Sequence, residues 1–117
     1  MIHMLSSFEM KPGEDEDAFR RAYAAFVEDL RVENLIADAG PLGVRVADTP
    51  MDTDDTRRHT HFSILTFHDR RQLNHAYAWL IRRKGGSAGS HNDMHARITN
   101  SVFLCWQDIS ATKEKEP

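Results

Sequence analysis

Two histidines one residue apart, His59 and His61, stand at the head of a segment in which apolar residues recur at strand-compatible spacing. In an extended strand that spacing turns both imidazoles to the same side. Imidazole is the side chain whose ordinary titration falls nearest neutral pH, and a carboxylate held against it fixes which ring nitrogen carries the proton. The pair is then a general base for a small organic substrate. Glu9, in a second alternating segment, would supply that carboxylate if strand pairing brought it alongside. His91 and His95 are four residues apart with Asp93 between them, so they share a face if their segment turns helical. Either set carries residue types found in metal sites. Neither has enough ligands at a specific spacing, and seven histidines in 117 residues generate such pairs by chance. The expectation is therefore no metal and no organic cofactor. Cys105, flanked by Leu104 and Trp106, is in an apolar setting that does not activate a thiol. No phosphate-binding glycine motif, nucleophile elbow or Cys-x-x-Cys pair is present.

The elements that must position these residues follow from hydrophobic periodicity. Ile2 to Met10 alternates Ile2, Met4, Phe8 and Met10 with His3, Ser7 and Glu9, which predicts a strand. Lys11-Pro12-Gly13 is a turn signal, and the acidic run 14–17 offers capping oxygens and favourable charge at a helix start. Phe19, Tyr23, Phe26 and Leu30, with Ala22, then form one apolar stripe at helical spacing. That helix must end between Asn34 and Gly40, before Pro41. Leu42 to Ala47 reads as a short second strand, and the residues 48–58 as a mobile, hinge-like connection. Thr60 to His68 is a strong strand with apolar groups on both faces. A second helix opens at Asp69 or Arg70, with Leu73, Ala76, Tyr77 and Leu80 as its stripe, widened by Trp79 and Ile81. The glycine- and serine-rich stretch after Lys84 is flexible, and Gly85 to His95 suits a lid. Ser101 to Ile109 is a last, continuously apolar strand. The charged tail 111–117 has nothing to bury and is expected to be disordered, which leaves one domain over residues 1–110.

Composition narrows the function classes. With 40% hydrophobic and 28% charged residues the chain is an ordinary globular domain, and a formal charge of -3 gives no electrostatic case for nucleic acid. No apolar run approaches the roughly 18 residues of a spanning helix, so no membrane partner is expected. A single cysteine excludes an internal disulfide and fits a cytoplasmic location.

The order strand, helix, strand, strand, helix, strand, with right-handed crossovers, specifies an α+β fold. It is a four-stranded antiparallel sheet of order 4-1-3-2 with two helices on one face. In Phe8-Glu9-Met10-Lys11-Pro12-Gly13 leading into the first helix, and Phe62-Ser63-Ile64-Leu65-Thr66-Phe67-His68-Asp69 leading into the second, the chain resembles the ferredoxin-like, dimeric α/β-barrel superfamily. That superfamily includes antibiotic-biosynthesis monooxygenase-like and EthD-like proteins. The resemblance implies a homodimer whose helix-free sheet faces meet, with a small organic molecule held between the sheets. No catalytic set of the superfamily can be matched residue by residue.

If Phe8 and Met10 pack on the first helix, as the resemblance implies, then His3, Leu5, Ser7 and Glu9 face the barrel. With Phe62 and Ile64 also toward the helices, His59, His61, Ser63, Leu65 and Phe67 join them. Glu9, His59 and His61 then form a candidate catalytic cluster, and Ser7, Ser63, Phe67, Trp106, His91 and His95 a candidate pocket. Two readings remain open. One is a cofactor-independent oxygenase, isomerase or lyase; the other is a non-catalytic ligand-binding, stress-related or structural dimer in which the strand-end histidines are simply solvated.

Overall fold

The computed structural model describes residues 1–83 and 89–109. Its elements are β1 (Ile2–Met10), α1 (Glu16–Val32), β2 (Asp38–Ala39), β3 (Gly43–Val44), β4 (His61–Phe67), α2 (Arg70–Arg83), α3 (Gly89–His95) and β5 (Ile98–Gln107). The sheet runs β2-β4-β1-β5, with β3 also on β4, and its pairings are all antiparallel. This is the expected ferredoxin-like α+β architecture with one helix and one strand piece more than the periodicity predicts.

Local chemistry accounts for the boundaries around α1. Pro12 and Gly13 close a turn in which Glu14 N donates to Lys11 O at 3.0 Å, and Gly13 takes the positive φ of 77° that the turn demands. Asp15 caps α1 by accepting from Asp17 N at 3.0 Å. At the other end Asn34 adopts φ 56°, Leu35 N donates to Leu30 O at 2.8 Å and Asn34 N to Arg31 O at 3.0 Å. The two crossed bonds make a Schellman stop, sealed by the buried side chains of Leu30 and Leu35.

The predicted second strand is divided. Asp38 and Ala39 pair with Thr66 and Leu65, and Gly43 and Val44 pair with Phe62 and His61. Residues 40–42 thus oppose only 63–64, so one extra residue bulges at Pro41, which has no N–H to give the ladder. Val46 is exposed beyond the pairing. The connection read as a hinge is gathered around one side chain. Arg45 meets Asp52 through two hydrogen bonds of 2.8 Å and donates to the carbonyls of Asp54 and Arg57.

Two further corrections concern helices. On α2, Gln72, Ala76 and Trp79 are buried, while Tyr77 (65% exposed) and Ile81 (50%) face outward. The stripe is rotated because Gln72 is drawn in: it accepts from His68 N at 2.7 Å and donates to the Asn34 carbonyl at 3.2 Å. The segment read as a flexible lid contains α3, whose Met94 is buried in the core. The rest of that segment, at 84–88, and the tail from 110 onward lie outside the described residues.

Pairing register decides which side chains reach the core. Phe8 lies opposite His61, Ser6 opposite Ser63, Met4 opposite Leu65 and Ile2 opposite Phe67. Cross-strand partners share a face, and Phe8 is buried against Phe19 of α1 at 5.4 Å between ring centroids. His61, Ser63, Leu65 and Phe67 therefore point toward the helices, and Phe62 and Ile64 toward the open face, the reverse of the expected parity. The strand has large apolar groups on both faces, so its own sequence does not distinguish them. The helix-free face carries Leu5, Phe62, Ile64, Val102, Leu104 and Trp106: Leu5 lies opposite both Ile64 and Leu104, Ser7 opposite Phe62 and Val102, and His3 opposite Trp106.

Candidate functional site

Glu16 is the first residue of α1 and His61 the first of β4. The Asp15 cap fixes the start of the helix; pairing with Phe8 fixes the start of the strand. Their side chains meet: His61 Nε2 lies 2.9 Å from Glu16 Oε2, and His61 Nδ1 lies 2.8 Å from Thr60 Oγ1. An ionised carboxylate only accepts, so Nε2 carries the proton. In the neutral ring Nδ1 then accepts from the Thr60 hydroxyl. The imidazole also stacks on Phe8, with centroids 5.9 Å apart and planes at 22°. It is the more enclosed partner, its side chain 12% exposed against 55% for Glu16.

This pair stands in the wall of an open groove of about 530 Å³ between α1 and the irregular β2–β3 edge. Phe19, Tyr23, Ala24 and Val27 form one side and Leu42 and Val44 the other; Arg20 and Arg31 also line it, with their guanidinium groups paired to Asp17 at 3.5 Å and Asp38 at 3.8 Å. The bulge at Pro41 belongs to its rim. Tyr23 is buried, and burial pushes its hydroxyl pKa up against smaller opposing effects of nearby Ser63 and the Arg31 charge. The hydroxyl remains a proton donor, and among the described residues it has no hydrogen-bond partner of normal geometry.

The expected cluster of Glu9, His59 and His61 is divided. His61 takes Glu16 as its carboxylate. His59, 5% exposed, bonds through Nε2 to the Asn100 carbonyl at 2.8 Å, and the Asn100 amide donates to Glu9 Oε2 at 2.9 Å. Asn100 occupies a bulge in β5, with φ 58°, where one residue of β1 faces two of β5. Glu9 and His59 are thus linked through one residue that reading strand by strand passes over. Of the expected pocket residues, Ser63 and Phe67 are buried beneath the helices, while Ser7 and Trp106 lie on the open face. Trp106 stacks on His3, which is held by Thr66 at 2.9 Å and Asp108 at 2.7 Å. His91 and His95 stack on each other at 5.6 Å on α3, and His91 abuts Phe26 of α1 at 5.1 Å. Burial, and then the neighbouring His95 charge, lower the His91 pKa. Cys105 is exposed. Among the described residues no three His, Cys, Asp or Glu side chains converge in an arrangement suited to a metal ion, and no helix is long and apolar enough to cross a membrane.

Glu16, Arg20 and Tyr23 are the groove residues that sequence reasoning missed, together with Thr60, which adjoins the groove through its bond to His61. Glu16 was legible only as part of an acidic helix start, and Tyr23 only as part of the core stripe.

No family model and no curated protein matches the sequence. Solved structures do match. The Arabidopsis thaliana protein At3g17210 is similar at TM-score 0.70 and 9% identity, over 95% of this chain and 98% of that one. Hydroxynitrile lyase from Passiflora edulis gives 0.62 and 13%, over 90% of each chain. A dimeric ferredoxin-like protein of unknown function from Jannaschia sp. CCS1 gives 0.62 and 16%, over 92% and 98%. An antibiotic biosynthesis monooxygenase and an EthD family protein from Bacillus halodurans are also similar, at 18% and 16% identity. At these identities the shared property is the fold, and the chain has the ferredoxin-like fold that its sequence resembles.

Proposed function

We propose that this chain is a cytoplasmic homodimer that binds a small organic molecule in the α1 groove and moves a proton on it, with His61 as the base and Glu16 orienting its ring. The observation that carries the reading is the Glu16–His61 pair in the wall of a formed groove. Proton abstraction begins the reactions of cofactor-independent isomerases, lyases and oxygenases alike. That a lyase and a monooxygenase share the fold agrees with this chemistry and does not choose among the three. Glu9 and His59 support the site indirectly, by pinning the Asn100 bulge.

Dimerisation rests on the open sheet face, where Val102, Leu104 and Trp106 are 47%, 61% and 42% exposed. Such a contiguous apolar face marks an interaction surface. Ser7 and Trp106 would then lie between the two sheets. A second reading, a ligand-binding dimer without catalysis, is favoured by one observation: both ring nitrogens of His61 already have partners within the chain.

The test is a fragment screen of weak carbon acids and carbonyl compounds by ligand-observed NMR, repeated on Ala24→Trp, which fills the groove from an exposed helix position. Binding should be lost in the variant while its melting temperature stays close to that of the parent chain. Hits that bind both proteins equally would remove the groove from consideration.

A further inference from the structure

Thr60 is the residue next to the proposed base that this function leaves unused, and we infer that it is a nucleophile: the groove accepts small apolar esters or thioesters and transfers their acyl group to Thr60 Oγ1. The inference rests on the groove reading above, and it adds a second reaction to the same pair.

Thr60 Oγ1, His61 Nδ1, His61 Nε2 and Glu16 Oε2 form one chain, with hydrogen bonds of 2.8 and 2.9 Å. A hydroxyl, a base within hydrogen-bond reach and a third group orienting the base are the parts of an activated nucleophile. The Thr60 backbone is fixed on both sides, its N–H donating to the Phe8 carbonyl at 3.1 Å and its carbonyl accepting from Arg45 N at 2.8 Å. The residue is exposed and, though it does not itself line the groove, adjoins it through the 2.8 Å bond to His61, so the carbonyl of a substrate lodged at the groove's end can approach the hydroxyl. Ala24, Val27 and Leu42 offer the acyl chain an apolar bed, and Arg20, one helical turn beyond Glu16 and paired with Asp17 at 3.5 Å, is on the same wall.

The step balances without a further reagent. Thr60 Oγ1 attacks the carbonyl carbon as its proton passes to His61 Nδ1, and the carbonyl electron pair moves to oxygen. Collapse breaks the bond to the leaving alcohol or thiol, which takes the proton from His61. Water, activated by the same nitrogen, then hydrolyses the acyl-threonine and regenerates the hydroxyl.

The experiment offers p-nitrophenyl esters of two- to eight-carbon acids to the full chain, following nitrophenol release and locating any acyl group by peptide mass spectrometry. Acylation of Thr60 is expected, with turnover reduced about a hundredfold in Thr60→Ala and in His61→Gln, and largely kept in Thr60→Ser. Thermal unfolding of each variant checks that it folds. Unchanged turnover in a folded Thr60→Ala, or an acyl group found only on histidine or lysine, overturns the inference. Because fragment binding to the groove is measured separately, either result leaves the proton-transfer reading standing.

Discussion

At the scale of single residues, the histidine in the groove wall was visible in the sequence and its carboxylate partner was not. His61 was singled out for its spacing from His59, but strand geometry says only that the two share a side. It does not say which carboxylate lies within reach, and Glu16, 45 residues away in the chain, arrives through the packing of α1 on the sheet. Substituting Glu16→Gln should retain a neutral hydrogen bond to His61 and leave folding intact, while lowering any His61-dependent turnover by roughly ten- to a hundredfold; steady-state rates with the esters above check this. Asn34 gives a prediction of another kind. It holds a left-handed conformation that costs a Cβ-bearing residue about 1 kcal/mol, and its side chain can bond locally. Asn34→Gly should leave stability unchanged or slightly improved, whereas Asn34→Val should cost about 1 to 2 kcal/mol in urea unfolding.

At the scale of elements, β1, α1 and β4 were read from periodicity because each is long and its pattern is strong. The failures have specific physical causes. β4 carries Phe62 and Ile64 on one face and Leu65 and Phe67 on the other, so only its register with β1 reveals which pair enters the core. Leu65→Asp should therefore unfold the chain, while Ile64→Asp on the open face should leave a folded protein; circular dichroism separates the two. α3 was missed because a seven-residue helix of Gly-Ser-His-Asn-Asp-Met-His has little intrinsic preference for that form and is held by Met94 in the core. Its docking should depend on pH. His91 faces Phe26 from α1 and His95 on its own helix, with Asp93 and Glu14 both engaged by Arg97 nearby. Its folded pKa lies below the ordinary 6.5, so the unfolded chain binds the proton first. This stability is present above pH 6.5 and falls away as pH drops through 6.5 toward the lower folded value. Melting curves between pH 7.5 and 5 should show that loss, and His91→Gln should flatten it.

At the scale of the whole molecule, the sheet assigns its two faces different tasks. The helix-covered face supplies the core and, at its β2–β3 edge, the groove. The open face supplies the surface proposed for a second copy. The sequence made the surplus of apolar residues plain, and with it the need for a cover on both faces. The resemblance placed a ligand between the two sheets, and the parity assigned to β4 on that basis is the reverse of its register with β1. Dimerisation can be tested alone: light scattering at micromolar concentration should report twice the mass of one chain, and Leu104→Asp should halve it without unfolding. The central claim, that chemistry resides in the α1 groove, is tested most directly by methyl NMR during titration with a fragment hit. The account predicts shift changes at Ala24, Val27 and Leu42, saturating together with those of the His61 ring, while Leu5, Ile64 and Leu104 stay unmoved. Saturating changes confined to Leu5, Ile64 and Leu104 would contradict it and return the site to the space between the sheets.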